Sequence, residues 1–102
     1  MNNLDREQLL DALRNLILFL KKERALREFP FFINAYEILN AEDISSESFQ
    51  ESKELLLRGM EFAAPGSFSD LGFWRDNVEE RLQINRELDQ LSNRLLELVI
   101  KN

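Results

Sequence analysis

The sequence predicts an all-α protein, a single-domain antiparallel bundle of about four helices with two long helices, occupying residues 1–102. Three observations predict it. Apolar residues recur at steps of three and four through most of the chain, the spacing of helices with one buried face. Two of the three glycines and one of the two prolines fall in a single stretch, Ala63 to Gly72, leaving long uninterrupted segments on either side. Nothing alternates with period two over more than a few residues, so strands are not expected. A chain this short buries roughly 60–70% of its unfolded surface, enough for one core and not for two.

The first helix is expected over residues 4–27, where Leu9, Leu10, Leu13, Leu16, Ile17 and Leu20 share a face. Leu18 and Phe19 widen that face, so this helix should touch neighbours on two sides and lie centrally. Glu28-Phe29-Pro30 stops it, because the residue before a proline is pushed out of the helical region, and Pro30 then suits the first turn of a second helix over 31–41. A third helix is expected over 46–60, with Ser46 as N-cap and Glu47 in the first turn, where the helix dipole favours an acid. Phe49, Leu56 and Met60 fall on one side of it, and Glu47, Glu51, Glu54 and Arg58 on the other. Ala63 to Gly72 is the long connection, in which Ser67-x-x-Asp70 fits a capping-box variant opening a short helical turn toward Trp74. The last helix is expected over 74–100. Its Ile84, Leu88, Leu91, Leu95 and Leu98 alternate steps of four and three, a heptad seam too short for an autonomous coiled coil and therefore expected to pack on the first helix. The expected core is Leu10, Leu13, Ile17, Leu20, Phe32, Tyr36, Leu39, Phe49, Leu56, Met60, Phe68, Trp74, Leu88, Leu91, Leu95 and Leu98.

Composition narrows the function. The chain has no His and no Cys, which removes thiol and imidazole nucleophiles, His general bases, Cys/His zinc sites, His-ligated haem and disulfides. With 13 basic against 19 acidic residues and a formal charge of −6, it lacks the basic face that phosphate backbones require, so no nucleic-acid partner is expected. The stretch Met1 to Glu7 mixes both charge signs, and the apolar run Leu16 to Leu20 is far short of a signal peptide or a membrane span. A cytoplasmic protein with no membrane partner is the expectation, and the missing cysteines agree with it.

Carboxylates are the plentiful reactive groups. A di-iron bundle would need Glu-x-x-His pairs, which the missing His removes. Glu51-x-x-Glu54 and Glu47-x-x-x-Glu51 have the spacing of an all-carboxylate hydrolase, yet they lie opposite the apolar face and should look outward. Glu79, Glu80, Glu87 and Asp89 are interleaved with Arg75, Arg81 and Arg86, the pattern of an exposed helix with charge pairs at i,i+4. Lys21-Lys22-Glu23-Arg24-x-x-Arg27 places cations in the closing turns of the first helix, where they complement its dipole. Phe29-Pro30-Phe31-Phe32 packs three aromatics at a helix junction, expected mostly as core, although such an aromatic can also anchor a partner. No cofactor and no metal site is expected.

The negative charge is unevenly placed. Residues 1–28 carry a balance of +1 and residues 58–102 a balance of −2, whereas residues 29–57 set Lys53 alone against Glu37, Glu42, Asp43, Glu47, Glu51 and Glu54, a balance of −5. A compact acidic region of this kind can steer a basic protein toward it.

Pro65-Gly66-Ser67-Phe68-Ser69-Asp70-Leu71, followed by Asn85-x-x-Leu88-x-x-Leu91-x-x-x-Leu95-x-x-Leu98, resembles a loose group of small acidic all-helical bacterial proteins, several of which are encoded as immunity partners of secreted toxins. Their shared pattern is a Gly-Ser-(Phe or Leu)-Asn-Asp-Leu turn ahead of a long final helix whose leucines pack into the bundle. Gly66, Ser67, Phe68, Asp70 and Leu71 match it; Ser69 stands where Asn is common and Pro65 where an apolar residue such as Met is common. The likeness is confined to the stretch from Pro65 onward. Physically the motif reads as a turn with a capped helix start and two buried anchors, a marker of fold. Membership would imply an inhibitory binding protein.

The functional expectation is therefore a non-catalytic acidic binding protein, monomeric or weakly dimeric, that neutralises a basic partner, which the resemblance implies to be a toxin met by an immunity protein, with Glu42, Asp43, Glu47, Glu51 and Glu54 as the contact. Two other classes compete with it. A carboxylate-dependent metal hydrolase would need inward carboxylates and Mg²⁺ or Mn²⁺. A self-associating structural or regulatory module would use the Ile84 to Leu98 seam as its interface.

Overall fold

Four helices form where the apolar periodicity places them. In the computed structural model, which describes residues 3–101, they are α1 (Asn3–Lys22), α2 (Phe31–Leu39), α3 (Ser46–Glu61) and α4 (Val78–Lys101), with 3₁₀ turns at Leu26–Glu28 and Phe68–Asp70. The protein is an all-α four-helix bundle, with no strand among the described residues. α1 is central and packs on α2 and α4, while α3 packs on α2 and α4. Its start lies beside the end of α2, where Arg6 Nε and Nη2 donate to the carbonyls of Leu39 (2.7 Å) and Ala41 (2.6 Å), groups a helix C-terminus leaves without partners. Its other end lies beside the approach to α4, through an edge-to-face contact of Phe19 with Phe73 and an ion pair between Glu23 and Arg75. No helix among the described residues is long and apolar enough to cross a membrane.

The helix ends depart from expectation, each for a local reason. α1 stops at Lys22, not at residue 27, in a left-handed C-terminal turn: Arg24 has φ 61°, its N–H bonds the Lys21 carbonyl, and the Ala25 N–H reaches back to the Leu20 carbonyl at 2.8 Å. Arg24 occupies the position usually given to glycine. Because the left-handed region costs an L-residue about 1–2 kcal/mol, Arg24→Gly is expected to stabilise the fold by about 1 kcal/mol, read as a higher urea midpoint at unchanged slope. α2 ends at Leu39 instead of 41, where Arg6 takes over its carbonyls. The cap of α3 is Ser45 and not Ser46: Ser45 is extended and its Oγ accepts the Ser48 N–H at 3.0 Å.

α4 begins at Val78, four residues later than expected, because Asn77 caps it with Oδ1 on the Glu80 N–H at 3.1 Å. The chain before it is a loop, pinned by Asn85, whose amide accepts from the Phe73 N–H (2.8 Å) and donates to the Phe73 carbonyl (2.9 Å). Trp74, expected in the core, is therefore outside it. It is 69% exposed, with the Arg81 guanidinium 4.1 Å from its ring centroid. Ile17, Tyr36 and Leu91 sit at the core margin, and the remaining expected core residues are buried. Leu9, Leu16, Phe19, Phe29, Ala35 and Val99 join them. The α4 seam packs as expected, with Leu88, Leu95 and Leu98 buried and α1 against α4.

The connection from α3 is a type II turn, with Pro65 at its second position and Gly66 at φ 83° at its third, closed by the Ser67 N–H on the Ala64 carbonyl at 3.0 Å. The capping box does not form. Ser67 Oγ instead donates back to the Ala64 carbonyl at 2.6 Å, and Asp70 Oδ2 accepts from the Gly66 N–H at 3.4 Å. The short helical turn still forms, and it drives Phe68 into the ring cluster of Phe29, Phe31 and Phe32.

Candidate functional site

The five carboxylates singled out from the sequence are all exposed. Glu42 and Asp43 lie in the loop between α2 and α3, next to Ala41, and so at the Arg6 end of α1. Glu47, Glu51 and Glu54 follow on α3. Its inward stripe is Phe49, Ser52, Lys53, Leu56 and Met60, all buried, which turns the three glutamates outward by helical geometry. None of the five makes a side-chain hydrogen bond or ion pair among the described residues, so their charge is uncompensated locally. Lys53, the sole cation of residues 29–57, is turned inward at 7% exposure, its Nζ 5.1 Å from the Phe49 ring centroid. It shares the stripe of Phe49 and Leu56, a placement that helical spacing carried and that its charge disguised.

Among the described residues no three carboxylates come together as a metal site requires. The α4 charges are exposed apart from Arg81, which is half-buried over the Trp74 ring, and none of them pairs at i,i+4 among the described residues; Arg75, in the loop ahead of α4, bonds Glu23 of α1 instead. The self-association seam is committed to the chain's own core at Leu88, Leu95 and Leu98.

The basic cluster behaves differently from its sequence reading. Lys21 and Lys22 do lie in the last turn of α1, whereas Arg24 and Arg27 lie beyond it, in the left-handed turn and the first 3₁₀ turn. Lys21, Arg24 and Arg27 instead border a groove of about 700 Å³ whose wall is Ile17, Leu18, Leu26 and Ile33. Sequence reasoning missed this groove. Its signal was Leu18, which falls off the stripe of Leu13, Leu16 and Leu20 and is 55% exposed where burial was expected. On the same helix, Arg14 donates to the Tyr36 hydroxyl at 3.2 Å, and that bond raises its affinity for its proton. A guanidinium is charged at all ordinary pH, so the shift has no functional consequence.

No protein-family model, curated protein or solved structure matches the chain.

Proposed function

We propose that the protein is a non-catalytic binding protein whose acidic surface, Glu42, Asp43, Glu47, Glu51 and Glu54, docks on a basic protein partner and occludes its working surface. A toxin domain is the partner kind implied by the resemblance of the turn at Pro65 to Leu71 to immunity proteins, and a bacterial cytoplasm is the corresponding setting. The observation that carries the reading is the run of five exposed carboxylates with no compensating partner among the described residues. Such a run creates a field that speeds encounter with a positive surface and makes the rate sensitive to salt. An enzyme acting on nucleic acid has a basic groove for its substrate, and an acidic helix face can fill it with complementary charge.

The test is co-purification with the product of the adjacent gene, comparing wild type with the triple variant Glu47→Lys, Glu51→Lys, Glu54→Lys. All three sites are exposed, so the variant should keep its helical circular dichroism spectrum. Association is expected to slow by about tenfold or more at low salt, with a flattened salt dependence. Undiminished binding by the folded variant, with unchanged salt dependence, would show that this surface is not the contact.

A further inference from the structure

The groove bordered by Lys21, Arg24 and Arg27 lies toward the far end of α1 from the acidic loop. From Arg6 to Lys21 is 15 residues, or about 22 Å along the helix axis, so the two surfaces are separate. We propose that this groove docks an acidic amphipathic segment of a protein partner, a surface distinct from the acidic one and independent of that reading.

Two observations specify the occupant. The wall of Ile17, Leu18, Leu26 and Ile33 is apolar and open to solvent at Leu18, which suits a partner contributing several apolar side chains. The rim carries three cations at three-residue intervals, none with a side-chain partner among the described residues, in a chain whose net charge is −6. Three cations beside an apolar wall suit a segment that presents several carboxylates together with apolar side chains. The backbone adds a third argument. Arg24 holds a left-handed conformation at a site where glycine would be less strained, so the turn spends stability to keep a cation on the rim.

That strain supplies a variant that separates function from folding. Arg24→Gly is expected to raise the melting temperature while weakening binding, a pair of opposite effects that a purely structural arginine would not produce. The probe is a synthetic peptide of about 18 residues, five helical turns, with Leu at i,i+3,i+4,i+7 spacing and Glu at most other positions. A counterpart carries Lys in place of Glu. Each is titrated into the ¹⁵N-labelled full chain. The Glu peptide should shift the amide signals of Ile17, Leu18, Leu26 and Ile33, and its affinity should fall about tenfold in Arg24→Gly, Arg27→Gln and decline with salt. The proposal is overturned if the Glu peptide causes no shift at about 1 mM, if the shifts map elsewhere, or if the Lys peptide binds equally well. It is also overturned if phosphatidylglycerol vesicles or a single-stranded oligonucleotide bind at these residues more tightly than the Glu peptide, which would make the groove a membrane or nucleic-acid surface.

Discussion

Phe68→Ala is expected to destabilise the protein by about 3–5 kcal/mol, a large part of the 5–15 kcal/mol that holds a typical domain together. Phe68 comes from the loop after α3, not from a long helix, yet it is 7% exposed and meets three rings from the α1–α2 junction. Its centroid lies 4.9 Å from Phe32, 5.3 Å from Phe29 and 6.5 Å from Phe31, each edge to face. Such pairs add about 0.5–1.5 kcal/mol apiece to the burial of the ring itself. Truncation would leave a void between the α2–α3 hairpin and the Pro65 turn that the rigid turn cannot close. Urea denaturation followed at 222 nm measures the loss. A change under about 1 kcal/mol would mean that the turn is an appendage and not an anchor of the bundle.

The same residue shows what could be read from the sequence. Helix periodicity located all four helices and most of the buried leucines, because burial of one face dominates the energetics of segments this long, while the expected core omits Phe19, Phe29, Ala35 and Val99 and wrongly includes Trp74. The ends were less legible, since they depend on single polar groups. Asn77 with Glu80 three residues on is a readable cap, yet the expected helix starts at residue 74, four residues before the helix that Asn77 caps. Neighbouring Ser45 and Ser46 differ only in backbone conformation, which no composition rule resolves. The end of α1 was hidden because its left-handed residue is Arg24 and not glycine. Of the surfaces, the acidic one follows from charge spacing alone. The groove depends on the turn after α1 folding Leu26 and Ile33 toward Leu18, a tertiary event without a local signature.

Gly59→Ala is the case where tertiary packing should reverse a local preference. In an exposed helix interior, alanine is favoured over glycine by about 1 kcal/mol, so helix propensity alone predicts a gain. Gly59 is in α3, however, and a Cβ there would lie 2.5–2.6 Å from Cγ, Cδ2 and Cε2 of Phe31 on α2. Because Cγ is the root of the ring, a small swing of its far edge cannot relieve the clash; the whole side chain must leave its rotamer. Phe31 is half-buried and borders an open groove with Gly59 and Phe62, so it can move only by giving up its ring contacts, the Phe32 centroid at 4.2 Å and the Phe29 and Phe68 centroids at 6.5 Å. The hairpin must otherwise open, which separates the helices along their whole contact. Overpacking of this kind costs about 1–3 kcal/mol, enough to overcome the propensity gain. A lower urea midpoint and shifted Phe31 and Phe68 ring resonances are expected. The pairing Gly59→Ala with Phe31→Leu should recover part of the loss, because the two sites share the contact. If Gly59→Ala alone raises the midpoint, α2 and α3 do not approach as closely as the structure places them, and the ring cluster that Phe68 completes would be looser than its distances imply.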